Sequence, residues 1–181
     1  MRWDKLFDDL EAQLAAESRL ELDAEVADRT RAERAKVTLV ERLVGSLGSS
    51  VEVQLLGGQR AGGSVADVGR DWLVLEGASG PTLVPTGALV AVHGVARRPR
   101  SDASARRLGL GYALRGVSRD RRPVHVLDTG GGRTSGTIDG VGADWLDLSE
   151  HAVDEPRRTA NVRASRTIPF ASVAAVVSAV H

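Results

Sequence analysis

The chain has 181 residues, 42 % of them hydrophobic and 3 % aromatic, with 24 basic and 24 acidic side chains. That length holds one ordinary domain or two small ones, and the absence of cysteine excludes a disulfide framework, a thiolate metal site and a cysteine nucleophile. No run approaches about 18 apolar residues and no apolar segment follows Arg2, Asp4 and Lys5, so the expectation is a cytoplasmic chain without membrane contact or cofactor.

The N-terminal stretch, residues 1–48, reads as a helical lead-in. Trp3, Leu6, Phe7, Leu10 and Leu14 recur at three- and four-residue spacing, which predicts a helix over about 3–16. A second helix is expected over about 20–46, ending near Gly48, with Val37, Leu39, Val40, Leu43, Val44 and Leu47 on a broad apolar face. Two readings stand for Trp3, Phe7 and Leu10: a docking stripe for a protein partner, or a face that closes on its own domain. Residues 1–36 carry ten acidic and seven basic groups, a solvated mixture without a sustained heptad pattern.

Beyond the lead-in one pattern occurs twice. VEVQLLGGQRAGGSVADVGRDWLVLE (51–76) aligns without a gap to VHVLDTGGGRTSGTIDGVGADWLDLS (124–149), with 12 of 26 positions identical. Val51, Val53 and Leu55 alternate with Glu52 and Gln54, as in a half-buried strand. Glycines then turn the chain, Gly63 to Val68 makes a second strand, and Gly-x-Asp leads into Trp72-Leu-Val-Leu or Trp145-Leu-Asp-Leu. Each copy ends on a Pro-entered turn and a last strand, Leu83 to Val92 and Thr167 to Val176. The second copy has about eleven extra residues, 149–159, before its Pro.

This order resembles the Sm-like or SH3-like small-barrel class, through VxVxLxxG followed by GxVxxV, and is also similar to the PRC-type barrel through its Pro-entered terminal strand. The composition resembles that of uncharacterised actinobacterial small-barrel proteins. The resemblance implies an α+β, mainly β fold, in which N-terminal helices precede two tandem small five-stranded antiparallel barrels at 49–95 and 123–181. It departs from RNA-binding Sm proteins where base contacts are made: Gly69 and Gly142 fall near the Asp position, Leu73 and Leu146 near the Asn position, and Thr86-Gly87 or Phe170-Ala171 replaces the basic step. Edge strands of such units offer pairing between chains, hence a homo-oligomer, unless the lead-in helices cover them. Trp72 and Trp145 are assigned to packing, with ligand stacking as the alternative. Asp71 and Asp144 are assigned to hydrogen bonds with their turn backbones.

Between the copies lies a basic linker, 96–122, with nine Arg against two Asp. Ser101 or Ser104 is the expected cap of a short helix running through Leu108 to Leu114. Arg97, Arg98, Arg100, Arg106, Arg107, Arg119, Arg121 and Arg122 are the candidates for contact with an RNA or DNA backbone. No catalytic constellation stands out. His93, His125, His151 and His181 lack ligand spacing, and the glycine groups match neither phosphate-binding fingerprint. The functional expectation is a non-enzymatic interaction or scaffold protein with an unidentified protein partner, the alternative being a nucleic-acid-binding protein.

Overall fold

The computed structural model describes residues 2–100, 107–155 and 158–179, with side chains in the first helix described at 13–14 and from 18 onward. The chain divides into two compact units, Met1–Thr38 and Leu39–His181.

The first unit is one helix, α1 (Arg2–Lys36), rather than a helix ending near 16 and a second beginning near 20. Residues 15–21 contain neither Gly nor Pro, so nothing in the backbone stops the helix there. The break falls instead at Val37 and Thr38, both β-branched. Leu20, Leu22 and Val26 are exposed, and the helix surface carries i,i+3 and i,i+4 ion pairs such as Lys36 with Glu33 (2.7 Å) and Arg29 with Glu25 (3.6 Å). At such exposure each contributes a few tenths of a kcal/mol. Among the described residues no helix is long and apolar enough to cross a membrane.

The second unit begins with a short helix, α2 (Leu39–Val44), which buries Leu43 and Val44. The first repeat follows as β1 (Ser50–Leu55), β2 (Arg60–Val68), β3 (Trp72–Gly77), β4 (Gly80–Pro85) and β5 (Leu89–His93). Next come α3 (Leu110–Asp120) and the second repeat, β6 (Val124–Asp128), β7 (Arg133–Val141), β8 (Trp145–Glu150), β9 (Ala164–Pro169) and β10 (Val173–Ser178). The predicted strands are all present, and in each repeat a 3₁₀ turn follows the Pro, at Thr86–Ala88 and Phe170–Ser172.

Their assembly overturns the two-barrel expectation, and with it the Sm-like, SH3-like or PRC-type assignment. All ten strands form one antiparallel sheet in the order β5-β1-β2-β3-β4-β10-β6-β7-β8-β9, and the sheet is open rather than closed into barrels. The physical cause lies at the middle. The outer edge of β4 does not complete a ring within its own repeat; it pairs with β10 of the other, Leu83 opposite Val176 and Thr82 opposite Val177. The run Val-Ala-Ala-Val in β10 is buried along its length, as a strand covered on both faces should be.

Within each repeat the register is the same. β2 and β7 carry bulges at matching places, between Val65 and Asp67 and between Ile138 and Gly140, which bend the strand. Gly63 and Gly136 lie against the next strand so closely that a Cβ would sit 2.3 Å from Glu76 O and 2.0 Å from Ser149 O. Only glycine permits that approach. The hydrophobic cores interlock across the join. Ala174 and Ala175 of β10 pack in the cluster of Val53, Leu73 and Leu75, whereas Trp72 and Leu83 pack in the cluster of Leu114, Val126, Leu146 and Leu148. The first repeat therefore has no core of its own that excludes the second.

Candidate functional site

The sequence-predicted arginines do not form one patch. Residues 95–100 run beside α2 instead of hanging free: Ala96 N–H donates to Ser46 Oγ (2.8 Å), Arg42 Nε donates to Ala96 O (3.1 Å), and Arg100 N–H donates to Glu41 O (2.9 Å). Ser46 is fully buried there and its hydroxyl donates onward to Arg42 O (2.9 Å), so this buried group both accepts and donates. Arg97, Arg98 and Arg100 are exposed on this segment. Arg106, like the proposed caps Ser101 and Ser104, lies outside the described residues.

Arg107 and the group Arg119, Arg121 and Arg122 flank opposite ends of α3, whose 11 residues separate them by roughly 16 Å at 1.5 Å per residue. All four are exposed. Arg121 takes a left-handed conformation (φ 52°) as the helix C-cap.

At the N-terminal end of α3 the structure assembles a different basic cleft, of about 340 Å³, in which Arg107 meets Arg70, Arg115, Tyr112 and Phe170. Its frame is rigid. Asp71 Oδ1 accepts the Leu110 N–H (2.7 Å), Arg70 N–H donates to Leu108 O (3.0 Å), and Trp72 Nε1 donates to the same carbonyl (3.0 Å). Asp71 thus binds the start of α3 rather than its own turn, correcting the expected role. Arg115 donates to Gly142 O (3.2 Å), and Tyr112 is 54 % exposed at the rim. Arg70 pairs with Asp71 (3.7 Å), which also lines the cleft, so Arg107 and Arg115 beside the exposed aromatic ring are the groups that can hold a phosphate while the ring stacks a base. Arg70 and Arg115 are 45 positions apart in sequence, and only the fold brings them together.

A second cleft, of about 650 Å³, opens where the repeats join. It is lined by Arg60, Arg133, His125 and Ser79 with the small residues Gly62 and Gly80. Arg60 and Arg133 are one of the identical pairs of the repeat, a signal present in the sequence but hidden among its turn and core positions. Arg60 faces Glu52 at 3.7 Å, while Arg133 has no ion pair among the described residues. Burial lowers the His125 pKa from its ordinary 6.5, and the positive charge of Arg133 lowers it further. Its Nδ1 lies 2.7 Å from Ser135 Oγ.

The extra segment of the second repeat starts with a residue held against β7. His151 N–H donates to Ser135 O (3.2 Å), and the buried imidazole spans Thr137 Oγ1 (2.8 Å) and Ala152 O (2.7 Å). Arg166 Nε donates to Glu150 Oε1 at 2.5 Å. Among the described residues no group of three His, Asp or Glu side chains is placed to hold a metal ion.

The docking stripe Trp3, Phe7 and Leu10 lies on α1, and its side chains fall outside the described residues. The two other Trp residues differ. Trp72 is 4 % exposed and packs in the second repeat's core, whereas Trp145 is 38 % exposed.

The last surfaces are the two ends of the sheet. β5 pairs only with β1 and β9 only with β8, so each has one side without a strand partner among the described residues. No family model, no curated protein and no solved structure matches this chain.

Proposed function

We propose that this chain is a non-enzymatic interaction protein that binds its partners by extending its sheet. One observation carries the reading: a continuous ten-stranded sheet ends on both sides in a strand whose outer edge has no strand partner among the described residues. An edge strand presents a row of unmatched backbone N–H and C=O groups, and an added strand gains a hydrogen bond at alternate residues along its length. β5 offers Leu-Val-Ala-Val to an arriving strand, with Val90, the extra residue of its bulge against β1, 55 % exposed. The bulge does not preclude pairing, since β10 carries the matching one at Ala174 and still pairs with β4.

The test is capture with the purified full chain and with a version carrying Val92→Pro and Thr167→Pro, which removes a backbone donor from each edge. The reading expects the native chain to retain protein that the double variant does not. An identical set of retained proteins would remove its basis.

The basic cleft at the start of α3 favours a second reading, contact with an RNA or DNA backbone. Tyr112 next to Arg70, Arg107 and Arg115 supports it, since nucleic-acid sites pair cationic groups with aromatic faces. Retention of single-stranded RNA should then fall with salt, and Arg107→Gln with Arg115→Gln should flatten the log–log slope by about 1.4, at about 0.7 for each phosphate no longer neutralised. The set Arg97→Gln, Arg98→Gln and Arg100→Gln, beside α2, is the control. No binding at low salt, or equal losses from both sets, would end this reading.

A further inference from the structure

We propose that the partner strand comes from a second copy of this chain, with β9 of one molecule pairing antiparallel to β5 of the next, head to tail. The inference rests on the interaction reading above and names its partner.

The two repeats are equivalent strand by strand. Because the second repeat carries its extra segment, residues of β4 and β5 correspond to residues of β9 and β10 at an offset of 84 positions, so that Pro85 matches Pro169 and Val92 matches Val176. At the centre of the sheet, the fourth strand of repeat one pairs with the fifth strand of repeat two. The two strands left over are the fourth strand of repeat two, β9, and the fifth strand of repeat one, β5. They are the complementary halves of the joint the molecule already makes once. Transferring the observed register places Thr167 of one molecule opposite Val92 of the next, and Arg166 opposite His93, as Leu83 faces Val176 and Thr82 faces Val177.

Backbone direction agrees. Phe170 N–H donates to Asp144 O (2.7 Å), so by the two-residue alternation Ile168 and Arg166 face β8 while Thr167 faces outward. Ala179 N–H donates to Pro123 O (3.1 Å), which turns Val177 toward β6 and Val176 toward β4. Val92, the match of Val176, then faces outward from β5. Pro169 is no obstacle, since its counterpart Pro85 lies in a strand that makes the central joint.

Burial marks the same positions. Ala174 is fully buried at the central joint, whereas its counterpart Val90 is 55 % exposed. Residues Thr82 to Pro85 of β4 are buried, but of their counterparts in β9 only Ile168 is. Trp72, opposite Pro85, is covered by the second repeat's core; Trp145, opposite Pro169, is open. His151, at the start of the extra segment, is tied to Ser135 and Thr137 of β7, on the side of β8 away from β9. Such an interface is heterologous, so molecules add in one direction, ending in a ring if the rotation closes and in a filament if it does not.

The experiment is mass measurement by light scattering on the purified full chain over a concentration series. Two variants each disable one edge. Thr167→Pro removes an outward N–H and spares the β8 hydrogen bonds, and Val90→Lys places a charge where an apolar side chain would be covered. Arg122→Glu, an exposed charge change just before the interior strand β6, is the control. Circular dichroism and melting establish that each variant is folded. The expected result is a concentration-dependent oligomer from the native chain and from Arg122→Glu, with complete loss of every species above monomer for either edge variant alone. Mixing the two edge variants should restore a dimer and nothing larger, since each retains one working edge, and Trp145 emission should move to shorter wavelength in that mixture. A native chain that stays monomeric overturns the proposal, as does an oligomer that persists in an edge variant or a mixture that stays monomeric. Monomers that still capture another protein through the edges would overturn it while leaving the interaction reading standing; edges that capture nothing would remove both.

Discussion

Trp72 and Trp145 stand at the same corner of a duplicated unit, each following a Gly-x-Asp turn and each opposite a proline, yet they are 4 % and 38 % exposed. Their own strands do not explain the difference. What does is the chain that comes next: after the first repeat it returns over the corner, Leu108 O accepts the Trp72 indole N–H, and β10 continues the sheet beside β4. Beside the second corner, β9 pairs only with β8 among the described residues. A repeated sequence thus yields one corner that the sheet covers and one that it leaves half open, and the open one is where an interaction surface is to be sought.

Substitutions can break that contrast, and the largest expected effect is at the tryptophans themselves. Trp72→Ala removes a buried aromatic from a core that includes Leu114 and Leu146 and should cost about 3–5 kcal/mol of unfolding free energy. Trp145→Ala, at a half-open site, should cost about 1 kcal/mol. Urea midpoints of the dilute chain check both, and equal losses would show that the two corners are equally packed. The glycines sharpen the comparison from the other side. Gly63→Ala and Gly136→Ala each force a Cβ onto a backbone oxygen, so both should destabilise by about 1–3 kcal/mol and by similar amounts. There the copies are alike, because the close approach lies inside each repeat.

A smaller asymmetry is expected at the turns. Asp71 Oδ1 satisfies the Leu110 N–H at the start of α3, whereas the Asp144 carboxylate has no hydrogen-bond partner among the described residues. Asp71→Ala should therefore cost about 1–2 kcal/mol, as loss of a helix cap does, and Asp144→Ala a few tenths. Thermal melts of the pair decide it, and a loss at Asp144 as large as at Asp71 would mean the second corner has a partner too.

The strands and turns of both copies were legible because the signals are local: alternation in Val51 to Leu55, glycine where backbones nearly touch, proline before the last strand. The join was not, because the same residues satisfy either a strand that closes on its own repeat or one that pairs across repeats. A clue was nonetheless present. β4 reads Thr-Leu-Val-Pro and is buried, while its counterpart reads Arg-Thr-Ile-Pro and is mostly exposed. Fourth strands that differ in polarity cannot have the same neighbours. The basic cleft was half legible. Arg107 was named from the charge run, but Arg70 sits in a turn of repeat one, and its approach to Arg115 depends on where α3 is capped. Charge counting also grouped Arg107 with Arg119 and Arg121, which the length of α3 separates.

The smallest expected effect concerns the joint, where His125 lines the cleft shared by the two copies together with Arg133 and Arg60. Its counterpart in the first repeat is Glu52, exposed and facing Arg60 at 3.7 Å, so the contrast here is one of charge. Burial, then Arg133, holds the His125 pKa below 6.5 in the folded chain. As pH falls through the ordinary imidazole value of about 6.5, the unfolded chain takes up the proton first, so folding loses stability over that range and continues to lose it until the folded imidazole also protonates. Above about pH 7.5 the group is neutral in both states and contributes no slope. His125→Gln keeps a polar partner for Ser135 without titrating. Its urea midpoint should fall less than that of the native chain between about pH 7.5 and 5.5. Arg133→Gln should remove only the charge part of the shift and give an intermediate slope. Identical slopes for all three would mean that the joint senses no proton at His125.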